Sequence, residues 1–486
     1  MHIVMQDNSK NKYKIKLGLA PTRRTLTRPQ FFDKVDAIAA KNKIEEKLKE
    51  FDIEYVNLDF LNDEGLIYSG LDSGTVAQKF IDEKVDAIFA PHCNFGTEDA
   101  VAKLAKKVNK PLLIWGPRDE APLENGRRTR DSQCGLFATT KVLSQFGIPF
   151  TYITNSRVTD TVFERGLKNF VAATSVVKSF RNLRLGQIST RPGAFWSVKY
   201  NELELLERFG IEIVPVTLQD IKRNMELILK EKSGEVKSGV EEIKGRINRT
   251  LINDEAVERI VALKLAIKIW AEQENLSSVA ILCTAPMREV TGVSACFAAS
   301  ELTDTGLPVI CETDVHGAIT SVMSQAAVLG ETPTFLADLT IRHPENDNAE
   351  LLWHCGVFPD SLKKGGSESV LNNHYGAGTP GTIELEIKGG DITISRFDGL
   401  SGDYRLLMSQ GKGVEGPKTN GSYVWVEFKD WPELEHRLIY GPYIHHVTGV
   451  HGKIAPVLYE ACRYIPGLTP DPVDPTREEI EKYLIG

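Results

Sequence analysis

At 486 residues the chain is too long for a single hydrophobic core, so two to four domains are expected. Its net charge of −8 and pI near 5.8 exclude a general nucleic-acid binder, which is normally basic. With 42% hydrophobic and 26% charged residues it has the make-up of an ordinary globular protein, and no apolar run reaches membrane-spanning length.

Met1 to Lys16 is polar and lysine-rich without an apolar core, so no signal peptide is expected. Seven cysteines, none in a C-x-x-C pair, fit reduced thiols in a cytoplasmic protein. Lys14–Ala20 reads as a strand followed by a loop carrying Arg23, Arg24 and Arg28. Residues 31–50 have helical periodicity through Phe31, Val35, Ile38 and Ile44. Strands at Ile53–Leu58, Val85–Ala90 and Pro111–Trp115 alternate with helices at Asp72–Glu83 and Ala100–Val108. That alternation predicts a doubly wound parallel sheet over residues 1–178, with functional side chains in the loops after the strands. A second unit of the same kind is expected over 179–342. It has strands at Leu183–Ile188, Ile211–Val216 and Val279–Cys283, and helices around 201–209, 218–250 and 255–275. From 343 to 486 the helical period fades. Short alternating runs between glycine-rich turns predict a β-rich C-terminal domain, turning helical again over Ile444–Cys462 and ending in a charged tail from Pro470. The fold class is therefore α/β: two doubly wound parallel-sheet domains, then a β-rich domain.

The most informative stretch is Pro308–Asp338. It reads strand, helix, strand, with Glu312 after the first strand and Asp338 after the second. A right-handed crossover predicts parallel neighbouring strands with both carboxylates at their carboxyl ends, where open α/β sheets place ligands. Two such acids can hold a divalent cation or share proton transfer, although either alone is equally explained as a cap on the next turn. Candidates for a nitrogen ligand are His316, His343, His354, His445, His446 and His451. No H-E-x-x-H, G-x-S-x-G or G-x-x-x-x-G-K-[ST] motif is present. Gly376–Gly381 spells G-x-G-x-x-G but leads into a strand, so it reads as a turn.

On several motifs together the chain resembles the L-fucose isomerase and L-arabinose isomerase superfamily, nearer the fucose branch. They are Cys-Asn-Phe-Gly-Thr-Glu at 93–98, Pro-Leu-Leu-Ile-Trp-Gly at 111–116, Cys-Glu-Thr-Asp-Val-His-Gly-Ala at 311–318, Phe-Leu-Ala-Asp at 335–338, Leu-Trp-His-Cys-Gly at 352–356 and His-His-Val at 445–447. The resemblance implies a cytoplasmic aldose–ketose isomerase that works through an enediol and assembles as a homo-hexamer with active sites at subunit contacts. It implies Glu312, Asp338 and His446 as metal ligands, with His446 chosen over His445 from the Gly452-Lys453-Ile454 that follows.

Oxygen-rich coordination favours Mn²⁺, with Mg²⁺ as the alternative. Glu312 and Asp338 are expected to double as acid/base groups. Arg24, Asn94, Glu98, Trp353 and His354 are expected to bind the sugar. No nucleic-acid or membrane partner is expected. The loop 189–199, with Arg191 and Trp196, departs from the fucose-isomerase pattern. Arginine forks suit anionic oxygens, so Arg191 points to an alternative to an L-fucose or D-arabinose substrate: a C6-sulfonated or phosphorylated aldose such as sulfoquinovose. A tandem pair of α/β domains also fits a non-catalytic sugar-binding protein.

Overall fold

The computed structural model describes residues 12–25, 34–181, 183–249 and 252–486. Arg28, Phe31 and the segment before Lys12 lie outside the described residues. The described residues form two compact units: Lys14–Lys178 with Glu478–Gly486, and Ser179–Arg477 with Lys12 and Tyr13. The expected second and third domains thus share one unit up to Arg477.

In the first unit, strands β1 (Lys16–Leu19), β2 (Glu54–Val56), β3 (Ala87–Pro91), β4 (Leu112–Trp115) and β5 (Thr151–Tyr152) form a parallel sheet in the order β2-β1-β3-β4-β5. β3 and β4 are buried at every position, which is why they read as unbroken apolar runs rather than alternating ones. The helix Glu98–Val108 buries Val101, Leu104, Ala105 and Val108, an i, i+3, i+4, i+7 stripe. Strand order reverses between β1 and β3, and that switch point brings together the loops that follow them.

The second unit begins with another parallel sheet: β6 (Arg184–Ile188), β7 (Glu212–Val216), β8 (Ser278–Ile281) and β9 (Val309–Cys311), ordered β7-β6-β8-β9. Nine strands follow: β10 (Phe335–Arg342), β11 (Ala349–His354), β12 (Val370–Asn373), β13 (Pro380–Glu386), β14 (Gly390–Leu400), β15 (Asp403–Val414), β16 (Ser422–Phe428), β17 (His446–His451) and β18 (Leu468–Asp474). Six of them close on themselves as an antiparallel barrel in the order β16-β11-β10-β17-β14-β15. Closure removes free edges from the ring.

Three expectations need correction. The strand reaching Asp338 is not a parallel neighbour of the strand reaching Glu312. It lies in the barrel as β10, between β11 and β17. The short connection from Arg342 to Ala349 supplies an antiparallel partner locally, and a crossover cannot compete with a hairpin that close. Ile444–Cys462 is not one helix. His446–His451 is strand β17, and the helix starts only at Ala455, with Pro456 in its first turn. The tail from Pro470 also contributes strand residues, since β18 pairs in parallel with β15.

The helix Val315–Ala327 is buried at all its residues. It packs against β8 on one side and against β14 and β17 on the other. Small hydroxyl residues make that possible: Ser321 meets Thr448 at 3.0 Å and Ser324 meets Ser395 at 2.8 Å, so its polar groups are spent inside.

Candidate active site

Two kinds of local structure deliver the acids. Glu312 follows β9 directly and, with Thr313, sits at positive φ (65° and 56°). Two successive non-glycine residues in the left-handed region store strain, which is held here by neighbours. Thr313 N donates to Ile281 O at 3.0 Å and Thr313 Oγ1 to Thr190 O at 3.1 Å. Asp314 then caps the helix Val315–Ala327 through Gly317 N at 3.0 Å. Asp338 is placed by register instead. It lies directly across from His446 on β17 and from Trp353 on β11. Paired residues in an antiparallel ladder project to the same face, so one row carries Trp353, Asp338 and His446.

The expected ligand residues therefore converge. His446 Nε2 is 2.9 Å from Glu312 Oε2 and 3.6 Å from Asp338 Oδ1. His446 is fully buried, and the two carboxylates are largely so. Glu312 Oε2, Asp338 Oδ1 and His446 Nε2 are all buried without a hydrogen-bond partner. Two carboxylate oxygens that approach one imidazole nitrogen, none of the three spent on a hydrogen bond, are a donor set that a divalent cation fits. His445, half exposed, has its Nε2 3.9 Å from Asp338 Oδ1 and is the more distant of the pair. Asp338, His445 and His446 can nevertheless present ligand atoms within 4.8 Å of one another.

Behind His446 stands a network of paired charges that the sequence reading did not assign. Asp314 Oδ2 accepts from His446 Nδ1 at 3.0 Å. Arg396 grips Asp314 through both terminal nitrogens and donates from Nε to Asp398 Oδ2 at 2.9 Å. Asp398 Oδ1 lies 2.9 Å from His316 Nδ1. Burial opposes charge on Asp314, but Arg396 and His446 outweigh it and hold that carboxyl far below its usual range. An ionised Asp314 only accepts, so His446 keeps its proton on Nδ1 and turns Nε2 toward Glu312 and Asp338. Burial alone would keep His446 neutral; Asp314 and Glu312 override it and raise the ring to about 10 in the protein alone. Burial likewise opposes charge on Glu312, and His446, His354 and His445 outweigh it to keep the carboxyl below its ordinary value. A legible signal for the network existed: Arg396 and Asp398 continue, at i, i+2 spacing, the strand face that carries Ile392 and Ile394.

Of the other histidine candidates, His316 is engaged by Asp398, His343 Nδ1 accepts from Glu345 N at 3.1 Å, and His451 Nε2 meets Lys388 O at 2.8 Å. His354 Nδ1 accepts from Cys355 N at 2.9 Å, and its Nε2 is buried without a partner. Its ring stacks on Trp353 at 6.3 Å.

The remaining sugar-site candidates gather in the first unit, at the β1/β3 switch point. Arg24 N donates to Asn94 Oδ1 at 2.8 Å, Arg24 Nε to Gly96 O at 2.9 Å, and Arg24 Nη2 lies 3.4 Å from Glu98 Oε2. Arg191 lies in the second unit, in the loop after β6, where it lines a pocket with Thr313.

A family model described as the N-terminal domain of fucose/sulfoquinovose isomerase matches residues 25–181. The sulfoquinovose isomerase of Priestia megaterium is 27% identical over 396 residues, covering 80% of this chain and 86% of that protein. That of Alkalicoccus urumqiensis is 27% identical, covering 71% and 76%. Among solved structures, a periplasmic solute-binding protein from Actinobacillus succinogenes with bound D-allose aligns over 65% of this chain and 89% of its own, at 14% identity and a TM-score of 0.17, too low to carry any argument.

Proposed function

The chain belongs to the fucose-isomerase superfamily of aldose–ketose isomerases, and we propose that it interconverts a C6-sulfonated aldose of the sulfoquinovose kind and its ketose, with a divalent cation held by Glu312, Asp338 and His446. The observation that carries the cation is the convergence of three buried, unpartnered ligand atoms from three separate strands or strand ends. Mn²⁺ fits this oxygen-rich set, and Mg²⁺ is the alternative. When bound, such a cation supplies Lewis-acid stabilisation of the negative charge developing on the sugar's O1 and O2.

The residues of the chain do the rest. One of Glu312 and Asp338 takes the proton from C2 and returns it to C1, and the other carries the hydroxyl proton from O2 to O1, so the enediol forms and collapses to the ketose with no net gain or loss of protons. Glu312 is suited to this because the surrounding histidines keep it ionised despite its burial. Asp314 holds His446 in one tautomer. Trp353, beside Asp338 in the ladder, and His354, through its unspent Nε2, line the sugar. Arg24, Asn94 and Glu98, which lie in the first unit, are assigned to the sugar hydroxyls as contacts supplied by a neighbouring subunit of the assembly. The substrate reading is supported by the names of the relatives, which span most of the chain.

Removal of metal by EDTA and gel filtration should abolish ketose formation, and Mn²⁺ should restore it. In D₂O the enzyme should exchange the C2 proton of its aldose. A chelated protein that isomerises at the original rate would sink the metal assignment. A clear preference for L-fucose or D-arabinose over the sulfonated sugar would sink the substrate. A cytoplasmic homo-hexamer completes the reading, and a light-scattering mass near the 54.0 kDa monomer would contradict the assembly.

A further inference from the structure

The loop after β6 folds back through a short 3-10 turn at Trp196–Val198 and encloses, with Thr313, a surface pocket of about 300 Å³. Thr190, Arg191, Lys199 and Tyr200 line it from the loop, and Thr313 from the turn that carries Glu312. The bond from Thr313 Oγ1 to Thr190 O ties the two together, so the pocket opens one residue away from the acid/base group.

Among the described residues, the cations of this pocket are not paired with acids. Several arginines that follow strands are neutralised. Arg23 is held by Glu64 through two nitrogens, Arg24 faces Glu98, Arg128 pairs with Asp131, and Arg130 with Asp119 and Glu120. Arg191 and Lys199 have no carboxylate partner among the described residues. Arg191 spends only Nη1, on Pro192 O at 2.9 Å and Gly193 O at 2.8 Å. Those bonds orient the guanidinium and leave Nε and Nη2 unspent. Lys199 Nζ rides over the Trp196 ring at 4.6 Å, which restrains it without neutralising it. One acid, Glu202, also lines the pocket, so the two cations leave it net positive.

A guanidinium edge beside an ammonium matches a tetrahedral anion with three oxygens, two taken by the fork and one by the point charge. C6 is the end of a hexose remote from the C1–C2 pair on which the acids act. An anion on C6 therefore needs a cationic pocket next to the catalytic turn but not within it. We propose that Arg191 and Lys199 form the subsite that binds the C6 sulfonate, and so set the substrate class of this enzyme. The proposal rests on the sulfonated-sugar reading above.

The test measures kcat/KM for sulfoquinovose and for the same hexose with a methyl group at C6 (6-deoxyglucose). Wild-type enzyme is compared with Arg191→Met, Lys199→Met, the double variant and Glu202→Gln, each checked by circular dichroism. In the double variant the sulfonated-to-neutral ratio should fall by about 100-fold, mainly through KM, as loss of two charge-assisted contacts to an anion predicts. Glu202→Gln, which removes the opposing charge, should lower KM for the sulfonated sugar. Equal losses for both sugars, or an unchanged ratio, would overturn the subsite. A wild-type enzyme that does not prefer the sulfonated sugar would overturn the substrate reading itself, and the subsite with it.

Discussion

Glu312 and Asp314 are two residues apart, both acidic and both well buried, yet their circumstances are opposite. Both oxygens of Asp314 are spent, on Gly317 N, Arg396 and His446. Glu312 Oε2 has no hydrogen bond although His446 Nε2 is 2.9 Å away. A buried charge with all its partners can be part of the framework. A buried charge left unsatisfied lowers stability, and persists where function needs it. The two should therefore respond differently to mutation.

The largest effect is expected from the saturated side. Arg396→Met strands Asp314 and Asp398 without their shared counter-charge, which costs about 3–5 kcal/mol. Thermal melting of the second unit should move down by many degrees, or soluble yield should collapse; a melt like the wild type would show that the network does not bear the framework. Glu312→Gln should act mainly on function. Turnover should fall by about 10³-fold or more, with a much smaller drop in melting temperature than for Arg396→Met, because Glu312 Oε2 carries no hydrogen bond of the framework. If turnover survives, the acid/base assignment fails.

Asp314→Asn tests the link between the two sides. Arg396 keeps Asp398, so the cost in stability should be smaller than for Arg396→Met. The amide no longer fixes the His446 tautomer, and Mn²⁺ affinity by titration calorimetry should weaken by about 10–100-fold. Unchanged affinity would make Asp314 purely structural.

The smallest effect concerns an unspent carboxylate that has no histidine beside it. Glu350 on β11 has Oε2 buried without a partner. Burial, helped by Glu435, pushes its carboxyl up to about 7, with Arg342 opposing. The folded state then holds a proton that the unfolded chain releases from about pH 4.5, so stability falls as pH rises through the window up to about 7. Glu350→Gln should flatten that decline and raise the melting temperature at pH 8 by a few degrees. A variant whose melting temperature tracks the wild type from pH 5 to pH 8 would show that Glu350 is not protonated there.

The parallel sheets were legible because their signals are local. Unbroken apolar runs such as Ala87–Ala90 and Leu112–Trp115, separated by amphipathic helices, specify buried strands wherever they pack. Glu312 and Asp338 stood out because each ends an apolar run. Their relation to one another was misjudged, since nothing local distinguishes a crossover from a hairpin that begins beyond Arg342. The arginines show the same limit from another side. Arg23 and Arg191 look alike in the chain, and only the fold reveals that Glu64 lies against one while the other faces an open pocket.

By itself, then, the chain determined its α/β and β-rich texture, the acids that end its apolar runs and the His445–His446 pair, because periodicity and residue type are properties of short segments. Tertiary structure alone decided that β10 enters a closed barrel, so that Asp338 meets His446 across a ladder and Glu312 reaches the same point from a different sheet. It also decided that Asp314, Arg396 and Asp398 satisfy one another beneath the site. Pairing over more than a hundred residues depends on which strand edges and which counter-charges come into contact. That is settled by the packing of the whole unit, not by any segment of it.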